Sequence, residues 1–189
     1  MKNVKKFAIV LSLSALLGIS VNAQTKKINT TSSTVKWTGK KITGQHVGTI
    51  DLSSGSLIFK DDFLKGGTFT VNMKSLQATD LEGDYKKQFE GHLKSEDFLG
   101  VDKYETATLV FKKIKTKSKQ NYMVTGDLTI KGITKSITFN LLVSSNFAKT
   151  TVVVDRTNYN IKYGSGSFFA GLGDKAISDE FNLDVSLNW

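Results

Sequence analysis

Apolar residues recur at every second position through most of this chain, the spacing that sets one face of a β-strand against a core. The last strand is the plainest. Phe181, Leu183, Val185, Leu187 and Trp189 alternate with Glu180, Asn182, Asp184, Ser186 and Asn188. At the other end, alternation predicts a first strand over residues 34–40, with Val35 and Trp37 on one face and Lys36 and Thr38 on the other. Gly48, Ile50 and Leu52 follow in phase, a turn at Ser53-Ser54-Gly55 leads to Leu57 and Phe59, and a turn at Lys65-Gly66-Gly67 leads to Phe69, Val71 and Met73. The later strands carry Ala107, Leu109 and Phe111, then Tyr122, Val124, Leu128 and Ile130, then Ile137, Phe139, Leu141 and Val143, then Val152 and Val154. Lys131-Gly132 between two of them is a tight-turn signal.

One stretch breaks the period. Leu81, Tyr85, Phe89 and Leu93 are four apart, which stacks side chains on one helix face, and predicts a helical insert within residues 79–99. Asp84 is its expected N-cap, and Ser95 opens a further short turn ending at Gly100. His92, Ser95 and Asp97 crowd into the same stretch.

Short antiparallel strands with one helical insert define an all-β protein of about eight strands, either a closed barrel or a two-sheet sandwich. Periodicity alone leaves both open. Trp37, Phe59, Phe69, Phe111, Phe139 and Phe181 share the apolar phase of successive strands. A set so bulky suits the lining of a long apolar cavity as well as a filled interior. The insert would then close one end, with Phe89, Leu93 and Phe98 as a plug over the interior and Ser95 and Asp97 fixing the helix ends.

Composition trims this picture at the N-terminus. Lys2, Lys5 and Lys6 precede an apolar run over residues 7–19, and Val21-Asn22-Ala23 ends it with small residues, the layout of a signal peptide over residues 1–23. Residues 24–33 read as a flexible polar lead-in and residues 34–189 as one domain. The expected location is the periplasm. Losing three lysines and no acid takes the formal charge from +9 to +6. Cys and Pro are both absent, so no disulfide supports the fold and Gly, Asn and Asp make the turns.

The positive balance does not point to nucleic acid. Its densest cluster, Lys112, Lys113, Lys115, Lys117 and Lys119, has no interleaved aromatic platform beyond the strand it ends, and lysines there guard a sheet edge. Transient contact with an anionic membrane surface remains open. Catalytic and metal readings are weak. His92 with Ser95 would be a hydrolase pair, but a nucleophile, base and orienter on one short helix rarely reach triad geometry. No Cys ligands and no paired-His spacing suggest a metal. Gly166 and Gly171 mimic a phosphate loop, yet Leu172-Gly173 stands where Lys and Ser or Thr are required. Residues 163–175, with Phe168 and Phe169, read either as a lid at a cavity mouth or as a plain connection. An outer-membrane barrel ending in Trp189 and a ligand-free interaction module are the remaining rivals. For a polar head group the candidates are Lys40, Lys41, His92 and Arg156, the last being the sole Arg, whose alternative is a structural pair with Asp155 or Asp179.

Taken together, His92-Leu93-Lys94-Ser95-Glu96-Asp97-Phe98, Val124-Thr125-Gly126-Asp127-Leu128-Thr129-Ile130-Lys131-Gly132, Asp155-Arg156-Thr157-Asn158-Tyr159 and Ile177-Ser178-Asp179-Glu180-Phe181 resemble the YceI-like family in order and spacing. Trp37-Thr38-Gly39-Lys40-Lys41 and Tyr163-Gly164-Ser165-Gly166-Ser167-Phe168-Phe169 resemble a subgroup typical of Bacteroidetes. The chain departs from the family at Leu99 and Gly100, where many members carry Phe and Asp, and near Lys40 and Lys41, where many carry His. The resemblance implies an exported lipocalin-like β-barrel that holds an isoprenoid, quinone-like or other lipid, without catalysis and without a further cofactor. It leaves the oligomeric state open, a homodimer included.

Overall fold

A computed structural model describes residues 23–189; the leader expected over residues 1–23 lies, but for Ala23, outside them. The strands are β1 (Ala23–Lys27), β2 (Thr34–Lys41), β3 (Gly44–Lys60), β4 (Phe63–Ala78), β5 (Thr106–Thr116), β6 (Asn121–Ile130), β7 (Ile133–Val143), β8 (Phe147–Asp155) and β9 (Ile177–Asn188). The single α-helix among the described residues, α1 (Gly83–Lys94), interrupts the series between β4 and β5. All pairings between these strands are antiparallel, in the order β3-β2-β9-β8-β7-β6-β5-β4, and β4 pairs back onto β3. That last pairing closes the sheet. The result is an eight-stranded barrel, which excludes the sandwich.

The period-two pattern is what turns the apolar face inward. On β2, Val35 and Trp37 are buried and Lys36 is exposed; on β6, Tyr122, Val124, Leu128 and Ile130 are buried. An apolar inside with charged and hydroxyl side chains outside is the reverse of a membrane barrel, whose lipid-facing surface is the apolar one. The outer-membrane alternative therefore fails on the direction of the side chains.

Four sequence expectations need correction. Residues 24–33 are not a loose lead-in: β1 pairs with β3 from Ala23↔Lys60 to Lys27↔Ser56, and Ile28 is buried in the core. Its alternation is too short and polar to show against the flanking lysines. Ser53-Ser54-Gly55 is a register shift inside the 17-residue β3 rather than a turn, so one strand serves where two were expected. The turn expected at Lys65-Gly66-Gly67 lies earlier, at Asp61 and Asp62, both with positive φ (51° and 63°), as a two-residue hairpin requires. Asp84 is not the N-cap of α1. Glu82 holds that place without a side-chain cap, and Asp84 instead pairs with Lys87 at 3.1 Å. The Lys131-Gly132 turn stands as read, with φ of 51° and 74°.

Gly66 and Gly67 sit within β4 for a packing reason. A Cβ on Gly67 would lie 2.7 Å from the Phe111 ring, so the ring occupies the space of a side chain. Gly48 on β3 does the same for the Trp37 ring and the Gln77 carbonyl. The wall is uneven elsewhere. β7 and β8 share only two paired positions, Leu142↔Lys149 and Val143↔Ala148, after which a Thr150 hydroxyl donates to the Asn140 carbonyl at 2.6 Å.

The barrel's two ends differ. At the end carrying the β3–β4 turn, Ile28, Leu57, Leu64, Tyr122, Val143 and Ala148 fill the interior. The Tyr122 hydroxyl donates to the Lys119 carbonyl at 3.0 Å and accepts from the Leu64 amide at 3.4 Å, so this filled end leaves its one phenol paired. Because Gly48 has both a ring and a backbone carbonyl in its Cβ space, Gly48→Ala should destabilise the fold by about 1–3 kcal/mol. Chemical denaturation checks this: an unchanged midpoint would mean that the strands adjust without cost.

Candidate functional site

Toward the other end the inward side chains no longer meet, and they enclose a cavity of about 580 Å³ that opens to solvent. Trp37, Phe69, Phe111, Phe139 and Phe181 all line it. Phe69 and Phe139 flank Phe111, with ring centroids 5.5 and 5.9 Å away. Phe59 does not line it. It keeps the inward phase but lies at the filled end, packed against Trp189 at 6.1 Å. Alternation gives a residue's face and not its height along the barrel, which is why Phe59 was misplaced. Aliphatic side chains that the aromatic count passed over, among them Leu76, Leu109, Leu128, Val152 and Leu183, complete the wall.

Helix α1 roofs the opening. It has no fully buried residue, yet its Phe89 and Leu93, with Phe98 in the turn after it, are half-buried and line the cavity. Phe89 packs on Trp37 at 6.5 Å and on His46 at 4.5 Å. Polar ties hold the insert in place. Glu90 accepts the Ala78 amide at 2.8 Å, and the Lys131 ammonium donates to the carbonyls of Glu96 and Phe98 at 2.7 and 2.9 Å. The Ser95 hydroxyl donates to the His92 carbonyl at 2.7 Å, so Ser95 does finish the helix; Asp97 is exposed, with no hydrogen bond among the described residues.

The His92 ring packs against Tyr163 at 4.3 Å and Phe98 at 5.6 Å, and no hydrogen bond joins it to Ser95 among the described residues. The structure does not assemble the hydrolase pair. His92 Nε2 is buried without a partner among the described residues, as is Trp37 Nε1. His46, which sequence reading left without a role, sits at the mouth with its Nδ1 2.9 Å from Asp80 Oδ2. Burial pushes the Asp80 carboxyl up, but hydrogen bonds from His46 and the Val47 amide outweigh it and hold the group below its ordinary range.

Of the four head-group candidates, Lys40 and Lys41 are exposed at the mouth and lie in no ion pair among the described residues. Arg156 is otherwise engaged. Only 2% exposed, it donates to the carbonyls of Ser178 (2.9 Å), Ile161 (2.8 Å), Tyr163 (2.9 Å) and Ile177 (3.0 Å). Its fork therefore ties the 156–163 segment to the start of β9 and has no pair of donors to offer a ligand. Asp179 stands 3.5 Å from Nη2, held by charge rather than a hydrogen bond. Asp155 is occupied in accepting the amide and hydroxyl of Thr157. Of the two partners proposed for Arg156, Asp179 is the one beside it.

What the mouth can do follows from this chemistry. The cavity offers apolar surface through its depth and lysines at its rim. Among the described residues no three His, Asp or Glu side chains gather as metal ligands would.

Comparison with known proteins places these features in context. Residues 27–189 match the YceI-like domain. A UPF0312 protein of Pseudomonas putida strain W619 is 29% identical over 130 residues, covering 64% of this chain and 67% of that protein. A UPF0312 protein of Staphylococcus aureus strain MSSA476 is 39% identical over 112 residues, covering 52% and 62%. Among solved structures, Burkholderia cenocepacia BcnA superposes with a TM-score of 0.69 at 20% identity, covering 85% of this chain and 98% of that one. A polyisoprenoid binding domain from Saccharophagus degradans, implicated in plant cell wall breakdown, gives 0.57 at 12% identity, covering 88% and 97%. At such identities the superpositions establish the fold alone.

The Arg156 knot carries a pH signature. Hydroxyls of Ser165 and Ser167, with the Arg156 charge, hold the Asp179 carboxyl below its ordinary value of 3.8 against a smaller effect of burial. A carboxyl depressed in the folded state contributes stability that is full above its unfolded pKa and is lost as pH falls through the folded one. Asp179→Asn should therefore destabilise the protein at neutral pH, and the gap from wild type should close as pH drops below 3.8. Melting curves across that range test it; a gap that persists in acid would remove the charge from the account.

Proposed function

The chain belongs to the YceI-like family, and from that premise we propose that it is a non-catalytic binding protein of the periplasm, carrying or sequestering a long isoprenoid or similar lipid inside the barrel. The observation that carries this reading is the cavity of about 580 Å³, aromatic and aliphatic in its depth and open at one end. Its size falls within the range of small-ligand sites. Burial of each methylene of a lipid chain would contribute about 0.8 kcal/mol, so a chain of many carbons can be held without close polar matching. The polyisoprenoid binding domain of Saccharophagus degradans supports the choice of ligand class through its shared fold. Lys40 and Lys41 are the head-group contacts we retain, with His92 in the wall of the same cavity.

Native mass spectrometry of the purified protein should show a mass excess that organic extraction releases as lipid. Ala107 lines the cavity as its smallest buried side chain, so Ala107→Phe should lower lipid retention while the protein stays folded. Absence of any lipid, with no uptake of added isoprenoid, would refute the carrier reading. Export has its own check. Secreted protein should begin at Gln24; recovery of the intact N-terminus from the cytoplasm alone would overturn the location.

A further inference from the structure

One side of the mouth carries apolar side chains that the barrel does not bury. Ile42, at the tip of the β2–β3 hairpin, is 71% exposed, and Phe168 and Phe169, in the loop before β9, are 48% and 49% exposed. These tips belong to one rim. Lys41 pairs with Ile177, Ser165 bridges to the same residue, and the Ile177 amide donates to the Gly164 carbonyl at 2.8 Å. A small cleft between the two loops is lined by Ile42, Gly166 and Ser167. The phenylalanines stand on a built turn. The amides of Phe168 and Phe169 both donate to the Ser165 carbonyl, at 3.2 and 3.0 Å, and Ser165 itself is fully buried.

Cations flank these tips. Lys40 and Lys41 precede Ile42, Lys162 lies over the Phe168 ring at 4.6 Å, and Lys175 closes the loop. Against these four stand Asp174 and Glu180; Asp179 is engaged by Arg156 and Ser167. Separate apolar tips among lysines suit insertion between anionic head groups better than a protein partner, which would require a continuous complementary face. We propose that this rim docks on an anionic lipid bilayer, so that the cavity mouth faces the membrane. The proposal takes its purpose from the lipid-binding reading, but its geometry stands apart from it.

The geometry specifies which end docks. The lysines of β5 and the β5–β6 turn, including Lys113, Lys115 and Lys119, lie at the opposite end and should not take part. In co-sedimentation, wild-type protein should bind phosphatidylcholine vesicles containing phosphatidylglycerol and bind phosphatidylcholine alone more weakly. Combining Ile42→Ser, Phe168→Ser and Phe169→Ser should reduce that affinity by about tenfold or more with melting unchanged. Combining Lys113→Gln, Lys115→Gln and Lys119→Gln should leave it as in wild type. The chain has no cysteine, so Phe169→Cys and Lys119→Cys can each carry a polarity-sensitive fluorophore. Only the label at position 169 should shift to the blue on vesicles. Wild-type protein that ignores anionic vesicles overturns the proposal. So does a rim variant that binds undiminished, which would turn attention to a protein partner, or a far-end label that shifts, which would indicate charge without orientation. Farnesol uptake from solution, measured on the same variants, separates the two readings: uptake without docking overturns docking alone, and no uptake in any form overturns the lipid-binding reading.

Discussion

The pairing of β4 back onto β3 is the constraint on which the molecule depends. Without it the strands would form an open sheet, and the alternating apolar face would need a second layer to cover it. With it, the sheet covers itself, and eight strands fix a circumference just wide enough for side chains or one slender ligand. Interior volume is then set by geometry, and only the choice of side chain at each height decides whether the space is filled. Leu57, Leu64 and Tyr122 fill one end; Ala107 and the phenylalanines around it line the cavity at the other.

The two ends also differ in what connects the strands. Short turns serve the filled end, while the open end carries the helical insert and the long passage from β8 to β9. Both long connections are held by one cation each. Lys131 takes the carbonyls after α1, and Arg156 takes four carbonyls before and within β9. A cation that satisfies backbone acceptors can fix an irregular segment where no ladder of strand bonds exists. The charged residues of the family pattern thus preserve the shape of the mouth. Arg156 also stacks its guanidinium 5.7 Å from the Phe98 ring, joining the two devices beneath the roof.

Much of this was legible in the sequence. The all-β class, the inward aromatic phase and the helical insert follow from periods of two and four, and five of the six proposed lining residues do line the cavity. Closure was not legible: the turn between Phe59 and Phe69 announced the β3–β4 hairpin, but nothing in β2 and β9 shows that these strands also pair and complete the ring. The register shift within β3 imitated a turn, since Ser53-Ser54-Gly55 has turn composition but continues the ladder to β4 through Ser54↔Thr70 and Gly55↔Phe69. Phe59 shows that face can be read where depth cannot. Arg156 shows the same of chemistry: its rarity marked it as important, while its task depended on carbonyls that no pattern of side chains announces. His46 and Asp80 are 34 residues apart and meet only because β3 and β4 pair beside them through Gly48↔Ala78, so nothing local announces that pair either.

The short ladder between β7 and β8 has a mechanical meaning. A barrel resists widening in proportion to how completely its hoop of backbone hydrogen bonds is closed at each level. Near the filled end the hoop includes Leu142↔Lys149 and Val143↔Ala148; above them, beside Phe139 and Val152, it has no strand bond across that seam. The lower part is therefore closed by strand bonds, while at the level of the cavity the Thr150–Asn140 bond is what the seam has in their place. If the proposed lipid occupies the cavity, the same residues would close on slender and thicker chains alike.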